Sequence, residues 1–388
     1  MSKDKPTRTS LRIRIGLSMV TFVLALLVLE LIARGLSIDF NPNPYWRFES
    51  TLGWTQQKSM SFERNIDGDA VRVEFNRMGF RDIDHEVAKP EGTRRIVVLG
   101  DSFSEASQVN MDETYWHRLE SLLNDRGSQD WEVINLGVGD FGNAQAWLAL
   151  NEYGLAFSPD IVLFQLFPLN DICNNTIELA GLCKSQNDRY RPYFVETEEG
   201  LQITRTQPIR HRLRSALVTF GVLDRVYRTL VEQWQSESVD ELHLRRTNER
   251  GFPGDPLLYT FVETSQQIEP IARGWEITEM ILEKTGDLLE QRGIAWLPVV
   301  IPFEARLGPR WSGFAEASPQ MAMVSDYPET RLGDLFERMG VPQVFLKPVF
   351  EENLDIVLPT RGGHLNPDAH ALAADAIFET MLEAGMLN

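Results

Sequence analysis

The chain has 388 residues, enough for two average domains or for one large α/β domain with insertions. A hydrophobic content of 43% and an aromatic content of 10% exclude a disordered chain, which is poor in both. With 38 Lys and Arg against 56 Asp and Glu the formal charge is -18, a surface that repels phosphate backbones, so nucleic acid is excluded as a partner.

The N-terminus departs from that average. Lys3, Lys5, Arg8, Arg12 and Arg14 precede fifteen uncharged residues, Ile15 to Leu29, and Glu30 is followed by Leu31-Ile32-Ala33 and Arg34. A span needs about 20 mostly apolar residues, which this stretch reaches when Glu30 sits near the far interface and pairs with Arg34 one turn on. Residues 1–34 therefore read as a basic tail and a transmembrane anchor, with a cytoplasmic N-terminus and an exported body, a single-pass inner-membrane topology with a periplasmic domain. A cleaved signal peptide ending near Ala33-Arg34-Gly35 is the competing reading.

Residues 35–93 carry turn signals, Asn41-Pro42-Asn43-Pro44, Asp67-Gly68-Asp69 and Met78-Gly79, around short alternating runs such as Val71 to Phe75, which predicts a small β-rich segment. From 94 to 388, buried-type apolar runs alternate with helical patterns. Strands are predicted at Ile96–Leu99, Val133–Leu136, Ile161–Phe167, Ala295–Ile301 and Val344–Leu346. Helices are predicted at Thr114–Arg126, Ala144–Tyr153, Gly274–Arg292, Arg331–Met339 and Pro367–Glu383. Such alternation means one parallel sheet of five strands with crossover helices. A long insertion, about 171–260, interrupts it after the third strand, polar and irregular with two weak helical stretches between Ala216 and Trp234; insertions of that length are usually lids or binding elements. It contains the only cysteines, Cys173 and Cys183, which either bridge in an oxidising compartment or are two unrelated thiols. No Cys/His spacing suited to a metal occurs.

In an open parallel sheet, ligands bind beyond the carboxyl ends of the strands. Four polar blocks are predicted on that rim. Gly100-Asp101-Ser102 follows the first strand, Gly137-Val-Gly-Asp140 the second and Leu169-Asn170-Asp171 the third, while Gly363-His364-Leu-Asn-Pro-Asp-Ala-His370 precedes the last helix. Ser102 reads either as a nucleophile activated at the start of a helix or, like Ser104, as a helix cap. The strand before it is not followed by a glycine-rich phosphate cradle, which argues against a nucleotide-binding domain.

Together and in this order the blocks resemble those of the SGNH or GDSL hydrolase superfamily. Asn76-Arg-Met-Gly-Phe-Arg81, Ser158-Pro-Asp160 and Arg191-Pro-Tyr-Phe194 extend the likeness to its membrane-anchored bacterial members. The resemblance implies a flavodoxin-like three-layer α/β sandwich with a central five-stranded parallel sheet. It also implies a serine esterase, acylhydrolase or O-acyltransferase that needs no cofactor and acts on acyl esters of a cell-envelope glycan or lipid, in contact with polysaccharide acylation machinery. Ser102 is implied as nucleophile and His364 as general base. The backbone amide of Ser102, the side chain of Asn170 and the backbone at Asp140 or Gly139 are implied as oxyanion-hole donors.

Three departures mark the chain. The positions of the family's acid, two or three before the histidine, hold Gly362 and Arg361, which leaves Asp355 or a backbone carbonyl to orient the ring. Asp140 stands where the second block has glycine, and Pro168 stands near the glycine of the third. A catalytically degenerate binding or accessory protein is therefore the alternative reading. His85, His117, His211 and His243 are expected on solvated surface, and His370 is expected to pack or cap the last helix. Arg205, Arg210, Arg212 and Arg214 read as a solvated helix face or a grip for an anionic glycan or lipid head, and Trp234, Trp275 and Trp311 as packing residues.

Overall fold

The computed structural model describes residues 11–36, 45–127, 129–180, 191–204, 213, 217–223, 226–227, 269–307, 326–358 and 360–387. Contacts divide the chain into two units, Met1–Pro44 with Gln207–Ser238, and Tyr45–Thr206 with Val239–Asn388. In the first unit, α1 (Leu11–Gly35) contains Ile13–Gly35, 23 residues of mean hydropathy 2.5. Among the described residues it is the one helix long and apolar enough to cross a membrane.

The second unit begins with two antiparallel hairpins. The first is β1 (Trp46–Glu49) with β2 (Gly53–Gln56), and the second is β3 (Ser61–Ile66) with β4 (Asp69–Glu74). Both hairpins fall in the stretch 35–93 expected to be β-rich and in the second unit.

That sheet starts with β5 (Thr93–Leu99), followed by the single turn α2 (Ser102–Glu105), α3 (Tyr115–Arg126), β6 (Asp130–Asn135), α4 (Asn143–Glu152) and β7 (Ile161–Leu166). Next come α5 (Pro168–Asn174), α6 (Ile177–Ala180) and a hairpin, β8 (Tyr193–Thr197) with β9 (Gly200–Thr204). The fold closes with α7 (Glu269–Glu290), β10 (Ala295–Val300), α8 (Tyr327–Met339), β11 (Val344–Phe345), α9 (Leu346–Glu351), α10 (Leu354–Val357) and α11 (Pro367–Glu383). The start of the stretch expected to be irregular after Asp171 therefore holds ordered elements, α5, α6 and the β8–β9 hairpin.

The five strands run in the order β11-β10-β7-β5-β6, all parallel. Successive side chains of a strand face opposite sides, so β5 sends Val97 and Leu99 to one layer of helices and Ile96 and Val98 to the other. The first layer is α4, α5, α7 and α8; the second is α3, α9, α10 and α11. This is the three-layer α/β sandwich expected. Each fully buried Val, Leu or Ile contributes roughly 1.5–3 kcal/mol of apolar transfer, which makes the doubly covered strands the stable frame. Strand order reverses between β5 and β7, the place where open α/β sheets form their binding crevice.

Candidate active site

Asp101, directly after β5, caps α2: its Oδ1 accepts the backbone N–H of Phe103 at 3.0 Å. The capping role left open for Ser102 is thereby filled by its neighbour. Ser102 Oγ instead lies 2.8 Å from His364 Nε2, a contact joining the end of the first sheet strand to the loop before α11.

His364 is delivered by a two-residue turn. Arg361 and His364 exchange both backbone hydrogen bonds, at 3.0 and 3.2 Å, across Gly362 (φ +61°) and Gly363 (φ +79°). Two consecutive left-handed residues are what a type I′ turn requires, and glycine adopts them without a Cβ clash. The same turn brings the Gly362 carbonyl oxygen 3.1 Å from His364 Nδ1. A carbonyl only accepts, so Nδ1 carries the hydrogen and the Nε2 lone pair faces Ser102, the tautomer a general base needs. Burial lowers the pKa of His364 below the ordinary 6.5, opposed by the Gly362 hydrogen bond and by the charge of Glu105, so the ring is neutral at pH 7. Asp355 is exposed on α10 and takes no part.

Asn170 is carried by α5, which begins with Pro168 at its first turn, where a missing N–H and a fixed φ are tolerated. Its Nδ2 donates to Asp101 Oδ2 at 2.8 Å, which uses one of two amide hydrogens. Burial raises the pKa of Asp101 to about 6, against the hydrogen bonds from Phe103 and Asn170. Gln165, on β7, fixes the turn from below: its Oε1 accepts from the Asp101 N–H at 3.0 Å and from Ser104 Oγ at 2.9 Å.

The loop after β6 packs against this turn, with the Val138 N–H donating to Gly100 O at 3.3 Å. Gly139 does not offer its amide to the site as expected. That N–H donates at 2.7 Å to Glu105 Oε2, a buried carboxylate that also accepts from Gln56 Nε2 on β2. Burial raises the Glu105 pKa, opposed by these hydrogen bonds and by the charge of Arg81. The next residue, Asp140, has φ +66°, the left-handed geometry glycine favours, and its carboxylate pairs with Arg191 at 3.1 Å. The Arg191 guanidinium also donates to Gln145 Oε1 at 2.7 Å and lies over the Trp54 ring at 4.9 Å, while Trp54 Nε1 donates to Gly139 O at 3.1 Å. The first hairpin and Arg191 thus clamp the Gly139–Asp140 loop.

Arg81, fully buried, donates to the carbonyls of Glu105 and Ala106 at the end of α2, and burial lowers its pKa to about 10. Asn76 shapes the preceding turn by accepting the N–H groups of Met78, Gly79 and Phe80. Glu105 and Gln165 were not singled out by the sequence reading, and Arg81 was named only as the end of the Asn76–Arg81 block, without a role. A charged residue three places after the serine, with a strand glutamine, was the available signal.

Other expectations sort as follows. His370 is buried on α11, its Nδ1 accepting the Tyr115 N–H at 3.2 Å. His85, expected on solvated surface, turns inward instead, its side chain 6% exposed and 3.3 Å from Asp82. Trp275 is buried in the core. Cys173 is buried and disulfide-bonded, and Cys183 lies outside the described residues. So do His211, His243, Trp234, Trp311, Arg205, Arg210, Arg212 and Arg214. Among the described residues no group of three or more His, Cys, Asp or Glu is arranged to hold a metal.

Fold and rim together define a three-layer α/β protein with a serine–histidine pair at its topological switch point. No protein-family model and no curated protein matches the chain. The solved structures it resembles are GDSL- and SGNH-type acylhydrolases, esterases and lipases at low identity. A lipase/acylhydrolase from Enterococcus faecalis aligns at 12% identity and TM-score 0.38, over 75% of this chain and 96% of that one. A catalytic mutant of an acetylxylan esterase from Geobacillus stearothermophilus aligns at 10% and 0.40, over 76% and 96%. A protein described as lipolytic, of the G-D-S-L family, from Desulfitobacterium hafniense aligns at 9% and 0.36, over 74% and 98%. At these identities and TM-scores the chemistry of those proteins does not transfer by likeness.

Proposed function

We propose that this chain is an SGNH-type serine ester hydrolase or O-acyltransferase, tethered to the inner membrane by α1 with its body on the periplasmic side. The single observation that carries the chemistry is the 2.8 Å contact between Ser102 Oγ and a neutral, correctly tautomerised His364.

In this reading His364 Nε2 takes the Ser102 proton as Oγ bonds to the substrate carbonyl carbon. The same proton passes to the leaving alcohol as the ester C–O bond breaks, and water or a sugar hydroxyl then releases the acyl group by the reverse sequence. The oxyanion donors are the Ser102 N–H, the Asp140 N–H and the second Asn170 amide hydrogen. The substrate class is an acylated glycan or lipid of the cell envelope, and polysaccharide acylation machinery is the partner that fits it.

A second reading, a silent binding or accessory protein, is favoured by one observation: His364 Nδ1 leans on a carbonyl rather than on a carboxylate hydrogen-bonded to the imidazolium formed in turnover. Fluorophosphonate labelling of the full chain in detergent separates the two. Labelling of wild type, absent in Ser102→Ala and His364→Ala, is expected. An unlabelled but folded wild type overturns the enzyme reading in favour of the second.

A further inference from the structure

Glu30 is the one charged residue between Ile15 and Ala33, yet in a helix whose other faces are exposed it is 7% exposed. Its carboxylate accepts from Arg34 Nε at 2.7 Å, one turn on. It also accepts from the backbone N–H of Val218 at 3.0 Å, the backbone N–H of Thr219 at 2.9 Å and the hydroxyl of Thr219 at 2.8 Å. Burying a carboxylate is costly unless its lone pairs are filled, and four donors fill them. The last three come from the insertion, from the start of the helical stretch 218–223, and both segments belong to the same unit.

Depth follows from that contact. Glu30 lies five residues before Gly35, about 7.5 Å along the axis at 1.5 Å per residue, so in a hydrocarbon layer of ~30 Å crossed by Ile13–Gly35 it sits about one turn inside the outer boundary. Residues 217–227 read Leu-Val-Thr-Phe-Gly-Val-Leu-Asp-Arg-Val-Tyr, and Leu217, Leu223, Val226 and Tyr227 expose their side chains, as Leu27 and Leu31 of α1 do. Exposed apolar side chains mark an interaction surface, and those on a segment hydrogen-bonded to a membrane span have lipid as their neighbour. The sequence just upstream, Arg205, Arg210, Arg212 and Arg214, supplies the cations that interfacial segments carry toward anionic headgroups in an otherwise acidic chain.

We propose that residues 217–223, with Val226 and Tyr227, are a second membrane contact, docked on the outer end of α1 through Glu30, with Leu223, Val226 and Tyr227 at the headgroup and acyl-chain boundary of the bilayer. This rests on the reading of α1 as an anchor.

The test uses the full chain in vesicles of phosphatidylcholine and phosphatidylglycerol, with an environment-sensitive fluorophore on single introduced cysteines. The variants are Leu223→Cys and Tyr227→Cys, Val23→Cys in mid-span and Glu290→Cys at the exposed end of α7. Emission at 223 and 227 is expected to be lost mostly to a nitroxide on the upper acyl chain and little to aqueous iodide, with the reverse at 290. Positions 223 and 227 behaving like 290, while 23 is quenched from the lipid, overturn the proposal alone. Escape of position 23 from lipid quenching overturns the anchor reading and this proposal with it.

Discussion

His364 Nδ1 and the carbonyl oxygen of Gly362 are 3.1 Å apart, and that one contact sets the tautomer of the base that faces Ser102. An orienting group made of backbone survives every side-chain substitution, and it adds no negative charge to raise the basicity of the ring.

A pH profile follows. A carboxylate partner raises a histidine pKa, whereas here burial lowers it below 6.5. The base is active when neutral, so the Ser102 labelling rate rises with pH with its midpoint below 6.5. A midpoint above 6.5 would show a hidden acid. Asp355→Ala, a surface change worth within about 0.5 kcal/mol, leaves the rate unchanged.

The Asp140–Arg191 pair predicts a rescue. An unpaired carboxylate on the loop packed against the nucleophile turn opposes the charge that develops on the substrate oxygen, and Arg191 offsets it at 3.1 Å. Arg191→Gln is expected to slow fluorophosphonate labelling by about tenfold or more, equal to about 1.4 kcal/mol in the barrier. Adding Asp140→Asn to that variant restores most of the rate. Additive losses in the double variant would mean that Arg191 acts only by packing on Trp54.

Much of this architecture was legible because buried parallel strands are continuous apolar runs, and Ile96 to Leu99 or Ile161 to Leu166 cannot be mistaken for half-exposed ribbon. The rim blocks were legible because small and polar residues follow the apolar strands, Gly100-Asp101-Ser102 after β5, Gly137 to Asp140 after β6 and Asn170-Asp171 after β7. Glu105 and Gln165 were not, since their partners, Gly139, Gln56 and the Asp101 amide, lie far off in sequence with no periodicity to expose them. The β8–β9 hairpin escaped because its outer residues, Glu196 to Gly200, read as polar loop, while Phe194 alone is deeply buried.

Gly137 predicts a stability loss. A Cβ there would lie 2.3 Å from Ser104 Cβ, inside the buried turn that carries the nucleophile. Gly137→Ala forces that turn or its loop to move and is expected to cost about 1–3 kcal/mol, read as a lower midpoint in chemical denaturation. An unchanged midpoint would mean that the contact between loop and turn is loose.

His370 predicts an acid-sensitive share of stability. Full burial lowers its pKa from 6.5 to about 3, with the charges of Arg81 and Arg118 adding to the effect. The folded state therefore refuses a proton that the unfolded state accepts below 6.5, and the sign is a loss of stability as pH falls from 6.5 toward 3, up to about 1.4 kcal/mol per pH unit. Several buried carboxyls with raised pKa values, Asp101 among them, pull the other way by taking up protons in the fold, so the wild-type curve alone does not isolate the histidine. The difference between wild type and His370→Gln does. Glutamine keeps an acceptor for the Tyr115 N–H, 3.2 Å from the present ring nitrogen, but never titrates. Denaturation midpoints at pH 7.5 and pH 5 are expected to show the advantage of His370 shrinking at the lower pH. An advantage independent of pH would place the ring in contact with water.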